Sequence, residues 1–296
     1  MEISADFRAG YVALVGRPNV GKSTLLNQLL KFKLSIVTRK PQTTRKRILG
    51  ILSEKNYQII FTDTPGLIAP HYNLQNIMMT YLKSAVKDAD VLVYLADVDR
   101  SQQDFTEVDQ QALAFEKPVI LALNKVDLLP RDQLLPLMEH YQKQYKFEAI
   151  VPISALKNDG VDILLKEIVA RLPLNPPYFP LDQVTDQQER FFVAEIIREK
   201  IFNFYGEEIP YSCHVQIETF NQRKGKKDYI SAIIYVDQVS QKGILIGKKG
   251  LALKRVGAAA RIDIEAFLDR PVFLELYVKV LEGWRKNPMK LKSLGY

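Results

Sequence analysis

The run Gly16-Arg17-Pro18-Asn19-Val20-Gly21-Lys22-Ser23-Thr24 has the residue types needed to hold phosphate. It follows the apolar residues 11–15 and opens an apolar-periodic stretch at 25–30, so it reads as a glycine-rich loop between a strand and a helix. Two glycines let such a loop curl until its backbone N–H groups converge on phosphate oxygens. The following helix adds the field of its positive end. In that setting Lys22 reaches the β- and γ-phosphates, and the Ser23 hydroxyl is a Mg²⁺ ligand.

Base selection is written about a hundred residues on, where the apolar residues 119–123 end in Asn124-Lys125-Val126-Asp127. Guanine presents two adjacent donors that one carboxylate accepts in a bidentate, charge-assisted pair, and adenine presents no such pair. Asp127 is therefore expected to select guanine. Lys125 lays its aliphatic stem along the ring, and Asn124 ties this loop to the phosphate loop. A backbone N–H of Ser154-Ala155-Leu156, after the apolar residues 149–153, is placed to reach the guanine carbonyl.

Asp63-Thr64-Pro65-Gly66 follows the strand-like residues 57–61. Asp63 is expected to hold the Mg²⁺ shell, and the Gly66 N–H to bond the γ-phosphate, which no side chain blocks. Upstream, residues 39–45 form a polar, basic, mobile loop in which Thr44, with Thr43 as the alternative, completes the Mg²⁺ coordination. Ligands that engage only with a γ-phosphate make these loops a two-state switch. Where Ras-type enzymes carry a water-orienting glutamine this chain has Leu67, which cannot polarise water, so intrinsic hydrolysis is expected to be slow. The candidates for the missing help are Asn19, at a position where related GTPases hold a monovalent cation such as K⁺, and Arg45, otherwise a solvated loop charge.

These loops need a scaffold. Buried-looking strands alternate with helical segments at 84–89, 103–115, 131–145 and 161–171, the pattern of a doubly wound α/β domain with a mostly parallel sheet. Four prolines between 172 and 180 mark a semi-stiff linker. The chain accordingly divides into a nucleotide-binding domain at 1–173, a linker at 174–184 and a second domain at 185–296. With 296 residues, 47% of them hydrophobic, both domains have enough apolar side chain for a core. No apolar run approaches the ~20 residues of a membrane span. Residues 1–10 carry Glu2 and Asp6 and lack a signal-peptide core. The single Cys213 fits a reducing cytoplasm, and His71, His140 and His214 lack companions at metal-ligand spacing.

The net charge of +7 suggests a polyanionic partner, and the cations cluster in the second domain. Arg223-Lys224-Gly225-Lys226-Lys227 sits in a probable hairpin between alternating strands at 211–220 and 229–239, and residues 242–261 hold six cations and no carboxylate. A helical stripe at 187–204 precedes the hairpin. Gly247-Lys248-Lys249-Gly250, the helical residues 251–268 and a strand at 271–281 follow it. That is the layout of a smaller, α+β, type II KH domain. Its Gly-x-x-Gly loop clamps single-stranded RNA, with Gly247 and Gly250 permitting close approach and Lys248, Lys249, Lys242 and Lys254 meeting phosphates. The aromatic residues of this domain are read as core.

Taken in order, residues 16–24, Gln42-Thr43-Thr44-Arg45, residues 63–67, Asn124–Asp127, Ile246–Gly250 and the ending Gly283-Trp284-Arg285 with Leu294-Gly295-Tyr296 resemble the Era family of bacterial GTPases over nearly the whole chain. The resemblance implies a cytoplasmic, monomeric GTP/GDP switch that binds 16S rRNA near its 3′ end in small-subunit (30S) maturation, with some peripheral membrane association. Two other classes fit parts of the sequence. One is a tRNA-modification or other translation GTPase; the other is a membrane-surface GTPase using the basic tail at Arg285, Lys286, Lys290 and Lys292.

Overall fold

The apolar residues ahead of the phosphate loop form β1 (Arg8–Gly16), in which Val12, Ala13 and Leu14 are wholly buried. A strand covered on both faces reads as a continuous apolar run, as parallel strands in doubly wound sheets do. The computed structural model describes residues 6–38, 40–98, 104–114 and 116–296. Glu2, Arg39 at the head of the basic loop, and Gln103 and Phe115 at the ends of the expected 103–115 helix lie outside them. The chain divides into two compact units, one holding the residues up to Pro70 with Ile77–Asp186, the other His71–Asn76 with Gln187–Tyr296.

The first unit adds α1 (Lys22–Leu30), β2 (Ile48–Ser53), β3 (Tyr57–Asp63), α2 (Asn73–Asp88, from Ile77 onward), β4 (Val91–Asp97), α3 (Glu107–Leu113), β5 (Val119–Asn124), α4 (Leu134–Gln144), β6 (Ala149–Pro152) and α5 (Val161–Arg171). The sheet order is β2-β3-β1-β4-β5-β6, parallel throughout except for the antiparallel edge strand β2. Every parallel step needs a crossover, and the helices supply it. Phosphate loop and base loop both leave the carboxyl ends of strands, β1 and β5, where ligands of such sheets bind.

Three local readings change. Helix α2 begins at Asn73, well before the expected 84, because Leu74, Met78, Leu82, Ala85 and Val86 form a buried helical stripe. Helix α3 starts at Glu107 because Thr106 and Asp109 make a capping box.

The third concerns the proline-rich segment, whose backbone is hydrogen-bonded into the first unit. Ala9 N donates to Pro173 O at 3.2 Å, Ile51 N donates to Val184 O at 2.8 Å, and the Thr185 hydroxyl donates to Leu49 O at 2.7 Å. Gln58, wholly buried, accepts from Tyr178 N and Phe179 N at 2.7 and 3.0 Å and donates to Phe179 O at 2.9 Å. The segment is thereby a strap tied to β1 at 173, to Gln58 of β3 at 178–179 and to the edge strand β2 at 184–185, where unpaired backbone groups would otherwise invite pairing.

The second unit holds α6 (Glu189–Phe204), α7 (Ile209–Ser212), β7 (His214–Asn221), β8 (Asp228–Val236), α8 (Val239–Ile246), α9 (Leu251–Leu268), β9 (Val272–Val280) and α10 (Pro288–Ser293). In its sheet, β7-β8-β9, the first pair is antiparallel and the second parallel. The buried core includes Val193, Ile197, Ile234, Leu245, Val256 and Ile264. Strand β8 stops at Val236 instead of running to 239, because Gln238 and Gln241 cap each other and start α8. Among the described residues no helix is long and apolar enough to cross a membrane.

Replacing Gln58 with Ala removes three part-buried hydrogen bonds at about 0.5–1.5 kcal/mol each. Denaturant unfolding is expected to show a loss of roughly 2–4 kcal/mol, and limited proteolysis to cut faster within 174–186. Unchanged stability and cleavage would contradict the strap.

Candidate functional site: a phosphate and base cradle, and a basic glycine loop

Two glycines set the course of the first loop. Gly16 has φ +151°, and a Cβ there would lie 2.3 Å from Leu95 O; Gly21 has φ +103°, and a Cβ there would lie 2.2 Å from Asn124 Nδ2. Gly21 caps α1 with no side-chain hydrogen bond, so the first amides of the helix stay available to an anion. Lys22 is 7% exposed, and its Nζ donates to Gly16 O and Arg17 O at 2.9 Å each. Burial pulls its pKa down to about 8, against the opposing attraction of Asp63. Asn19 stands exposed at the loop tip in a left-handed conformation, φ 63°, and Val20 is buried. Thr24 lies in the first turn of α1. The Arg17 side chain is engaged by Asp109, so any phosphate contact of Arg17 falls to its backbone.

The three expected Mg²⁺ ligands converge. Ser23 Oγ lies 2.9 Å from Asp63 Oδ2 and 3.1 Å from Thr44 Oγ1, and Thr44 Oγ1 lies 3.1 Å from the same carboxylate oxygen. Thr44 occupies this cluster. Asp63 is fully buried, and its Oδ1 has no hydrogen-bond partner. Burial raises its pKa, opposed by the Lys22 charge and the neighbouring hydroxyls. Hard oxygen donors around a carboxylate oxygen with no partner fit Mg²⁺. Among the described residues no group of three or more His, Cys, Asp or Glu could hold a metal.

Gly66 is packed against Pro18, whose Cα would lie 2.9 Å from a Cβ at that position. Leu67 is buried at 6% exposure, and its N–H donates to Gly16 O at 3.0 Å. Its side chain therefore serves the core. Arg45, expected as a solvated loop charge, is instead 5% exposed, because the chain around it turns inward with Thr44.

Asn124 joins three loops. Its Nδ2 donates to Val20 O at 2.7 Å, and its Oδ1 accepts from Lys125 N at 2.8 Å and from Ala155 N at 2.9 Å. The Ala155 amide thus braces the base loop, and Ser154 pairs through its backbone with Asp159. Lys125 Nζ pairs with Asp97 Oδ2 at 2.9 Å, and Asp127 is exposed beside it in a short 3₁₀ turn. Sequence reasoning missed Asp97; the available signal was a carboxylate ending the otherwise apolar β4.

In the second unit the lysine-bearing turn sits between α8 and α9. Gly247 has φ +70°, and a Cβ there would lie 2.6 Å from Ala252 Cβ; Gly250 has φ +75°. Lys248 and Lys249 are exposed, with Lys254 exposed on the first turn of α9 and Lys242 half-buried on α8. Ile244 and Leu251 flank the turn at 55% and 64% exposure, leaving apolar surface beside the cations.

Residues 11–125 match the family described as 50S ribosome-binding GTPase, and residues 208–285 match the KH domain family. GTPase Era of Ruminiclostridium cellulolyticum is 44% identical over 293 residues, covering 98% of each chain. The chain belongs to the Era family of GTPases. A chloroplastic ERA-like GTPase of Oryza sativa is 46% identical over 99% of this chain and 70% of its own. Among solved structures, a variant of Aquifex aeolicus Era bound to GDP·AlF4⁻ superposes with a TM-score of 0.92 at 40% identity, covering 98% of this chain and 99% of that one. Era in complex with MgGDPNP and nucleotides 1506–1542 of 16S ribosomal RNA gives 0.92 at 41%, with the same coverage.

In this Era-family chain the lowered pKa of Lys22 has a measurable consequence. The free lysine is half neutral near pH 8, and phosphate oxygens restore its charge. Nucleotide binding is expected to take up close to one proton at about pH 9 and almost none at about pH 6.5, where the amine is already charged. Calorimetry in buffers of different ionisation heat reads the difference. Equal uptake at both pH values would contradict it.

Proposed function

We propose that this chain is a GTP-hydrolysing switch that binds single-stranded rRNA near the 3′ end of 16S rRNA during assembly of the small (30S) ribosomal subunit. Residues 1–173 carry the nucleotide and residues 185–296 the RNA. The observation that carries the nucleotide half is the Asn124 amide, which fixes phosphate loop, base loop and the 154–156 turn at once. The RNA half is supported by the KH match and by the relative complexed with 16S rRNA nucleotides.

Each residue then has a task. Asp127 accepts from guanine, Lys125 lies along the ring, and the Ser154-Ala155 turn, its amides given to Asp159 and Asn124, braces the loop that carries them. Amides of Gly16–Thr24 surround the phosphates, and Lys22 leaves its carbonyl partners for the β- and γ-oxygens. Ser23, Thr44 and Asp63 hold Mg²⁺, which neutralises charge developing on the phosphates. The Gly66 amide bonds the γ-phosphate, so loss of that group releases the loop carrying it. Buried Leu67 offers nothing to the attacking water, and turnover is slow. Asn19, exposed at the loop tip, would hold a monovalent cation such as K⁺, whose charge would stand where an arginine otherwise would. The protein acts as a monomer in the cytoplasm.

Lys248→Glu with Lys249→Glu tests the RNA half without disturbing the glycine backbone. Affinity for a single-stranded 16S 3′-end oligonucleotide is expected to collapse and the salt slope to flatten by roughly 0.7 per lysine, while GTP turnover without RNA persists. Gly250→Asp should behave alike. Unaltered RNA affinity in both variants would remove the clamp from the account.

A further inference from the structure

Arg17 belongs to the phosphate loop, but its guanidinium is held by a carboxylate on α3. Asp109 is fully buried, and its Oδ2 accepts from Arg17 Nε at 3.1 Å and Nη2 at 2.5 Å. The same oxygen accepts from Thr106 N at 2.9 Å, and Oδ1 accepts from the Tyr94 hydroxyl at 2.7 Å. Tyr94 pairs with Val15 in the sheet, one residue before the loop begins. One carboxylate therefore gathers β4, the start of α3 and the phosphate loop. Burial works to raise the Asp109 pKa, but the bonds from Arg17, Tyr94 and Thr106 outweigh it and hold the group below the usual range, so it is ionised at neutral pH.

A buried ion pair seldom adds net stability over apolar packing. What the fork of an arginine supplies is geometry. That geometry matters here because the Arg17 carbonyl is a resting partner of Lys22 Nζ, and the next residue, Pro18, is packed against Gly66. A shift of Arg17 moves both the lysine that meets the phosphates and the proline that limits where the Gly66 amide can sit.

We infer that Asp109, through Arg17, is a positioning residue for the phosphate loop, setting nucleotide retention and turnover from outside the nucleotide site. The inference rests on the GTPase reading above. The Asp109 carboxylate also keeps the Arg17 guanidinium occupied, so this arginine does not act as a finger on the phosphates.

The test is a cycle on the full chain with a fluorescent GDP analogue. Asp109→Asn and Arg17→Ala are each expected to speed GDP dissociation about tenfold and to lower kcat. The double variant is expected to be no worse than the larger single effect, since both act through one contact. Tyr94→Phe keeps the ring and removes one bond, giving a smaller shift in the same direction, and it decides the matter if Asp109→Asn does not fold. GTP preference over ATP stays unchanged in every variant. Folded variants with lowered melting temperature but wild-type dissociation and kcat would overturn the inference and make the pair purely structural. Failure of the wild-type chain to bind guanine nucleotides would instead overturn the parent reading, and the inference with it.

Discussion

A lysine cation held out of water is the constraint on which the nucleotide-binding unit depends. Lys22 has little contact with solvent, and its nearest partners are two carbonyls and the field of Asp63. Such a group is costly until an anion arrives. The fold tolerates the cost because β1 and α1 enclose the loop from both ends, with glycines where Leu95 and Asn124 leave no room for a Cβ. Asp63 shares the arrangement: it is buried, raised in pKa, and left with an oxygen that a divalent ion can occupy. Nucleotide and Mg²⁺ together relieve both groups, which makes this unit sensitive to which nucleotide is present.

The second unit solves a different problem with glycine. Gly247 and Gly250 both adopt positive φ, Gly250 in the left-handed region, and bring the chain out of α8 and into α9 without a bulky side chain. Two exposed lysines sit between them, and apolar Ile244 and Leu251 border them. Cations for a backbone and apolar surface for bases lie side by side, as single-stranded RNA requires. The core beneath comes from a helical stripe and a three-stranded sheet, and it keeps the turn at the surface.

Motif residues were legible in the sequence because phosphate and guanine chemistry dictates residue type and spacing together. Asn124, Asp127, Lys22 and the Ser23–Asp63 pair needed no fold to be found, and the structure adds that Thr44 is the threonine meeting them. Asp97 and Asp109 were not legible. Each is a single carboxylate whose partner stands far away in the chain, at Lys125 and Arg17. Helix α2 was read short because polar residues dilute its stripe. Strand β8 was read long because Val239 is apolar, although it stands 76% exposed as the first residue of α8. Prolines announced a linker, but it took the buried Gln58 amide of β3 and the bonds with Leu49 and Ile51 of β2 to show that the segment is fastened to the first unit.

The strap meets the strand that follows the Thr44 loop. Strand β2 begins at Ile48, shortly after Thr44, and its residues Leu49 and Ile51 bond Thr185 and Val184, just before the RNA-binding unit begins in sequence. On the proposed switch reading, order imposed on Thr44 by a γ-phosphate would act on β2 and on the residues 184–185 bonded to it. The most direct test measures four constants on the full chain: RNA affinity with GDP and with a non-hydrolysable GTP analogue, and analogue affinity with and without RNA. The account predicts that the analogue tightens RNA binding, and RNA tightens analogue binding, by one shared factor within roughly 5–150-fold. Four constants showing no coupling would mean two independent binding modules on one chain, and would contradict it.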